Sequence, residues 1–217
     1  MTATNPKTHM HYLRMFAPTI PYLAVLIGMY TSISNGWAAI LLYHLGIITV
    51  LFLARYWKLG RLLKTTEEFL VLAGVVLVSA LAGFFIYWLW AIIKLAELVL
   101  TDQLSVLGLV NAPWFLFIGY YFTVNPLLEE MFWRGYLGSP KLVLTWNDVW
   151  FAGYHVLVLI SFAGWFWVGL SFIMLVITAW FWRQLAHRYQ GLLLPIASHA
   201  AADASIIGAV YFLTRLK

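Results

Sequence analysis

Apolar residues run along this chain in long blocks broken by short polar connections, with neither the alternation of a half-buried strand nor the narrow stripe of a soluble amphipathic helix. The blocks are long enough for membrane helices. They fall at Phe16–Ile33, Trp37–Trp57, Phe69–Ile93, Pro113–Leu137, Asn147–Phe162, Trp165–Phe181 and Leu192–Leu213. Pro18 and Pro21 sit at the start of the first, where a missing backbone N–H costs little. Ser34-Asn35-Gly36 predicts a tight turn, Asn147 and Asp148 predict an N-cap, and Gly164 permits a sharp reversal. Lys94–Asn111 carries Lys94, Glu97 and Asp102, which suits an interfacial or re-entrant piece better than a full span. The expected fold is all-α: a polytopic membrane helix bundle of seven transmembrane helices, eight if Lys94–Asn111 crosses.

Composition agrees. Of 217 residues, 64% are hydrophobic and only 10% charged, against about 25% charged in soluble domains. No Ser-, Pro- or Gly-rich linker divides the chain, so residues 1–217 read as a single integral membrane domain. The first fifteen residues are polar and no small-residue cleavage site follows the first apolar block, so that block reads as a retained helix. The absence of cysteine excludes disulfides and thiol catalysis. The net charge of +5 is scattered over connections and forms no stripe suited to nucleic acid. With seven spans and the N-terminus inside, ten of the 13 lysines and arginines fall on the inner side, among them the cluster Arg55, Lys58, Arg61 and Lys64, which predicts a cytoplasmic-membrane orientation. The tryptophans, Trp114, Trp133, Trp146, Trp165 and Trp182 among them, lie near block ends and read as an interfacial belt.

Against this background three polar stretches stand out. Asn125-Pro-Leu-Leu-Glu-Glu-Met-Phe-Trp-Arg-Gly135 places two carboxylates and a guanidinium inside an apolar block. Charges in hydrocarbon are retained where they are paired, wet or functional. Glu130 and Arg134 are one helical turn apart and can pair; Glu129 points about 100° away and lacks that partner. Phe151-Ala-Gly-Tyr-His155 and His199-Ala-Ala-Ala-Asp203 are of the same kind. Glu129, His155 and His199 each lie roughly 10–12 Å from a helix end, and counting crossings puts those three ends on one side. A single polar site within the bundle is the expectation. His44, without an acidic neighbour in sequence, reads as a core histidine; His9, His11 and His187 read as solvated.

Glu129-Glu130-x-x-x-Arg134, Phe151-x-x-x-His155 and His199-x-x-x-Asp203, in this order on successive helices, resemble the CPBP family of CAAX prenyl proteases and bacteriocin-processing enzymes, also called the Abi family. The resemblance covers about Pro113 to Ala209, within a protease core of about residues 113–213. It implies a glutamate-type intramembrane endopeptidase. By motif position, Glu129 is the implied general base, His155 holds the same water, His199 stabilises the oxyanion, and Glu130 with Arg134 supports them. Asp203 stands where the family more commonly has asparagine. An ionised aspartate cannot donate to an oxyanion, so its expected role is to orient His199, as a triad carboxylate does; a protonated Asp203 acting as donor is the alternative.

The resemblance implies no cofactor. A zinc-dependent version, with two histidines and a glutamate as ligands, is the chemical rival, although no HExxH-type spacing is present. The implied partners are membrane lipid and a membrane-associated protein or peptide, such as a C-terminal tail or a leader. The expected location is a bacterial cytoplasmic membrane, and the positive-inside count with a site about 10 Å from the inner face predicts that the site opens toward the cytoplasmic side. A non-enzymatic immunity or scaffold protein is the alternative of another class, and a proton-coupled transporter is a third, disfavoured by the lack of helix-breaking pairs in matching halves.

Overall fold

A computed structural model describes residues 6–57, 60 and 69–215. The described residues are helical, without a strand; one isolated bridge joins Lys94 to Ala163. The helices are α1 (Pro6–Phe16), α2 (Ile20–Tyr30), α3 (Gly36–Leu53), α4 (Phe69–Ile93), α5 (Leu100–Val106), α6 (Asn111–Glu130), α7 (Trp146–Leu159), α8 (Trp165–Arg188) and α9 (Leu193–Arg215). A π-helical turn over Met131–Tyr136 extends α6. Lys58, Arg61 and Lys64 of the basic cluster lie outside the described residues, as does the side chain of His9.

Five helical stretches among the described residues are long and apolar enough to cross a membrane, and the α5–α6 pair makes a sixth if counted as one broken span. The seventh expected span is α7, which has only 14 residues. At about 1.5 Å per residue it covers roughly 21 Å, short of a hydrocarbon core of about 30 Å.

The polar Lys94–Asn111 segment forms the short α5, bent 90° from α6. Gly108 (φ 68°) and Asn111 (φ 53°) make the bend in left-handed conformations, which Gly adopts freely and Asn tolerates. Leu100, Leu104, Leu107 and Leu109 then pack with Trp114, Phe117, Ile40 and Ile207. The segment is thus fixed against the bundle by its own leucines. A larger core holds α2 and α3 against the π-helical turn, α7 and α8, through Ile47, Leu51, Phe132, Trp133, Phe151 and Trp182.

Helix α4 buries only Gly83, where it meets α9. A Cβ at Gly83 would lie 2.0 Å from the Ser205 carbonyl oxygen, so this approach requires glycine, as small-residue contacts between membrane helices commonly do.

Three expectations are corrected. The N-cap of α7 is Thr145, not Asn147 or Asp148: the Asp148 carboxylate accepts from the Thr145 backbone N–H at 2.8 Å and from its hydroxyl at 2.9 Å, a capping-box arrangement. Asn147 instead donates to the Leu137 carbonyl at 2.8 Å. Arg183, just past the Trp165–Phe181 block, does not lie in a connection between blocks, because α8 continues to Arg188. It is buried and gives all its donors away: to Asp148 at 2.9 and 2.7 Å, to the Ser139 carbonyl at 3.1 Å, to the Val143 carbonyl at 2.9 Å, and to the Lys141 carbonyl. One guanidinium therefore fastens the 139–143 connection to α7 and α8. Finally, Trp114, Trp133 and Trp182 are buried and do not join the belt, whereas Trp146 and Trp165 are exposed at helix ends.

Candidate active site

Three helices deliver the predicted polar residues to one place. Helix α6 presents Asn125 and Glu129 one turn apart, with Glu130 beside them; α9 presents His199 and Asp203 one turn apart; α7 presents Phe151, Tyr154 and His155. Glu129, Glu130, Arg134, His199 and Asp203 are all buried, none more than 6% exposed, and His155 is half-buried. The π-helical turn directly follows Glu130; such wide turns are frequent at functional sites.

The two adjacent glutamates have different surroundings. Glu130 Oε1 lies 3.2 Å from Arg134 Nη1 and accepts from His199 Nδ1 at 2.8 Å. It is a paired carboxylate that holds the imidazole. Glu129 has Oε1 bonded by the Tyr154 hydroxyl, while its Oε2, like Glu130 Oε2, is buried with no hydrogen-bond partner in the protein. That free oxygen of Glu129 stands 3.9 Å from His199 Nε2. His199 Nε2 is also 3.5 Å from Asp203 Oδ2, so this edge of the ring faces two carboxylates.

Aromatic rings frame the cluster. Trp182 stacks on His199 with centroids 4.4 Å apart, and its indole N–H donates to Ser198 at 2.8 Å. The Arg134 guanidinium lies 4.1 Å from the Phe151 centroid and 5.0 Å from that of Trp182. Its charge is held by Glu130 and two π faces, as desolvated cation–π contacts permit.

His155 joins the cluster through its ring neighbours. Its centroid is 4.8 Å from that of Phe151 and 4.0 Å from that of Tyr154, the residue that bonds Glu129. The motif spacing Phe151-x-x-x-His155 has a direct local consequence. His155 Nδ1 is 2.8 Å from the Phe151 carbonyl oxygen. A carbonyl only accepts, so Nδ1 carries the proton and, in the neutral ring, Nε2 keeps its lone pair.

Sequence reasoning missed Tyr154, Trp182 and Asn125 as members of the site. Asn125 Nδ2 donates to Asp203 Oδ2 at 3.0 Å. His44, expected in the core, is buried there, but its Nε2 lies 3.1 Å from Asn125 Oδ1, so it is linked to the cluster and not isolated. Among the described residues, no group of three or more His, Cys, Asp or Glu is arranged to hold a metal ion.

Residues 111–205 match the family model described as type II CAAX prenyl endopeptidase Rce1-like. The matched segment runs from the start of α6 through Asp203 and so contains the three motifs. No curated protein and no solved structure matches the chain.

Proposed function

We propose that this multi-pass membrane protein, whose residues 111–205 match the Rce1-like family model and so support an intramembrane endopeptidase in general terms, is a glutamate-type enzyme acting through Glu129. The carrying observation is the setting of Glu129: it lacks the arginine that pairs with Glu130, one oxygen is tied to Tyr154, and its buried, unpartnered oxygen stands beside His199 Nε2. A carboxylate held in this way can take a proton from water and return it to a leaving amine. His155, with its lone pair on Nε2, is the second acceptor for that water. His199 donates from Nε2 to the oxyanion, and a donor aimed at that developing charge lowers a barrier by roughly 3–4 kcal/mol. Asp203 orients His199, while Glu130 and Arg134 hold the imidazole and the turn. The peptide bond belongs to a membrane-associated protein or peptide, whose cleaved segment reaches the site from the cytoplasmic side.

The test uses the full chain reconstituted in liposomes with a quenched fluorescent peptide, supplied with and without a C-terminal farnesylated Cys-aliphatic-aliphatic-X tail. Cleavage that persists in a strong chelator, without stoichiometric metal in the purified protein, is expected. Cleavage abolished by the chelator and restored by zinc would replace the glutamate mechanism with the metal-dependent one. No cleavage of either peptide by folded protein would reject protease action on this tail class.

Tyr154 has its own expected effect. Tyr154→Phe keeps the ring against His155 and removes only the hydroxyl that fixes Glu129. Hydrogen bonds to charged groups contribute about 1.5–3 kcal/mol, so kcat should fall about ten- to a hundredfold. A rate within twofold of the parent would show that the hydroxyl does not position the base.

A further inference from the structure

The mechanism proposed above leaves His44 unused, yet His44 ends a continuous polar chain that reaches the site. On α3 it is buried, with Nδ1 2.7 Å from the Tyr120 hydroxyl and Nε2 3.1 Å from Asn125 Oδ1. Asn125 Nδ2 then donates to Asp203 Oδ2 at 3.0 Å, and that same oxygen stands 3.5 Å from His199 Nε2. A side-chain amide donates at one end and accepts at the other, so the orientation of Asn125 fixes what its neighbours do.

Two settings of the chain are self-consistent. In the first, the Tyr120 hydroxyl donates to His44 Nδ1, His44 Nε2–H donates to Asn125 Oδ1, and Asn125 Nδ2 donates to Asp203. Asp203 is then an acceptor. In the second, every bond reverses: Nδ1–H of His44 donates to Tyr120, and Asp203 must carry a proton to donate to the Asn125 carbonyl. The tautomer of His44 and the role of Asp203 are therefore one question. The setting with Asp203 as acceptor suits the surroundings better. Asn125 lies one turn before Glu129 on the same face of α6, in a cluster already holding three carboxyl groups, where an N–H donor offsets negative charge and a carbonyl oxygen would add to it. It also leaves the Asp203 carboxylate facing the nitrogen edge of His199.

We propose that Asn125 is a positioning residue: oriented by His44 and Tyr120, it pins Asp203 as an acceptor beside His199. The kinetic part of this inference rests on the protease reading; the spectroscopic part does not.

The full chain labelled with ¹⁵N-histidine in detergent gives the direct test, with His44→Gln identifying the resonance. A protonated Nε2 and a bare Nδ1 on His44 are expected; the opposite tautomer would overturn the assignment. The second test is an exchange of groups. Asn125→Asp sets two carboxylates against each other and should lower kcat on the peptide probe by about tenfold or more, with KM within about twofold, and lower the thermal midpoint. Adding Asp203→Asn restores an amide–carboxylate pair with its polarity reversed, and should recover most of the loss in thermal midpoint, while kcat stays low because position 203 no longer presents a carboxylate to His199. Asp203→Asn adds nothing to packing, so a purely space-filling Asn125 predicts no recovery. A double variant no more stable than Asn125→Asp would reject the proposal. If the unmodified protein cleaves neither peptide, the protease reading fails while the imidazole resonances and thermal midpoints still decide this one.

Discussion

Glu129→Gln is expected to remove cleavage of the peptide probe almost entirely, lowering kcat by about 10³-fold or more while the protein stays at least as stable as its parent. The two halves of that expectation come from the same geometry. The amide is nearly isosteric and can still meet the Tyr154 hydroxyl through its carbonyl, but it has no basic oxygen with which to take a proton from water. General-base assistance is worth roughly 10²–10⁴-fold, and the same group must also return the proton to the amine. On the stability side, the parent carries a buried carboxylate oxygen without a hydrogen-bond partner. Burying a charge without full compensation is costly, so replacing it with a neutral amide relieves part of that cost. A structural carboxylate behaves in the opposite way: its removal weakens the fold and affects activity only through it. The discriminating measurement is therefore paired, kcat on the peptide and the thermal midpoint of the same preparation. A variant that cleaves within tenfold of the parent rate removes Glu129 from the chemistry.

How much of this was legible in the sequence depended on how much contrast each residue makes with its block. Glu129, Glu130, Arg134, His199 and Asp203 interrupt hydrocarbon-like runs, so their presence and helical spacing were visible, and the structure brings these five within ion-pair reach of one another in a connected cluster. Lys94, Glu97 and Asp102 likewise marked the α5 segment as something other than a full span, and the 90° bend before α6 bears this out. The aromatic members were not legible. Tyr154 is one of 12 tyrosines and Trp182 one of 12 tryptophans, and an aromatic residue in a membrane block looks the same whether it faces lipid or a carboxylate. Trp133 shows the difficulty: it sits near a block end as a belt residue would, yet its N–H is spent on the Tyr43 hydroxyl at 2.8 Å in the core.

Asn125 and His44 were hidden for another reason. Neither is charged like the acids and the arginine that mark the site, and what gives them meaning is a partner 78 or 81 residues away. Thr145 was overlooked because Asn147 and Asp148 are also good capping residues, and the choice was made by Asp148 turning back to Thr145 while also receiving Arg183 from α8. Local spacing on one helix was readable; pairing between helices was not.

Arg134→Met should produce the second large effect, on stability. Arg134 is 4% exposed, its guanidinium 3.2 Å from Glu130 and seated over Phe151. Methionine fills much of the same space with a flexible apolar chain, but leaves Glu130 with His199 as its remaining partner. Breaking a buried ion pair from one side costs about 3–5 kcal/mol, here because Glu130 keeps only an imidazole that Glu129 and Asp203 also face. At about 2–4 °C per kcal/mol for a chain of this size, the thermal midpoint should fall by roughly 6–20 °C. Converting Glu130 to glutamine in the same protein removes the stranded charge, so Glu130→Gln/Arg134→Met should recover a large part of the loss. Activity should not return with it, because the Glu130 carboxylate also holds His199 Nδ1 at 2.8 Å, and a neutral amide holds that imidazole less firmly. Thermal unfolding of the single and double variants in one detergent, with peptide cleavage measured alongside, separates the two contributions. A single variant that melts within about 2 °C of its parent, about one kcal/mol or less on this scale, would mean that Glu130 needs no counter-charge beyond His199 and that the pair does not organise the turn.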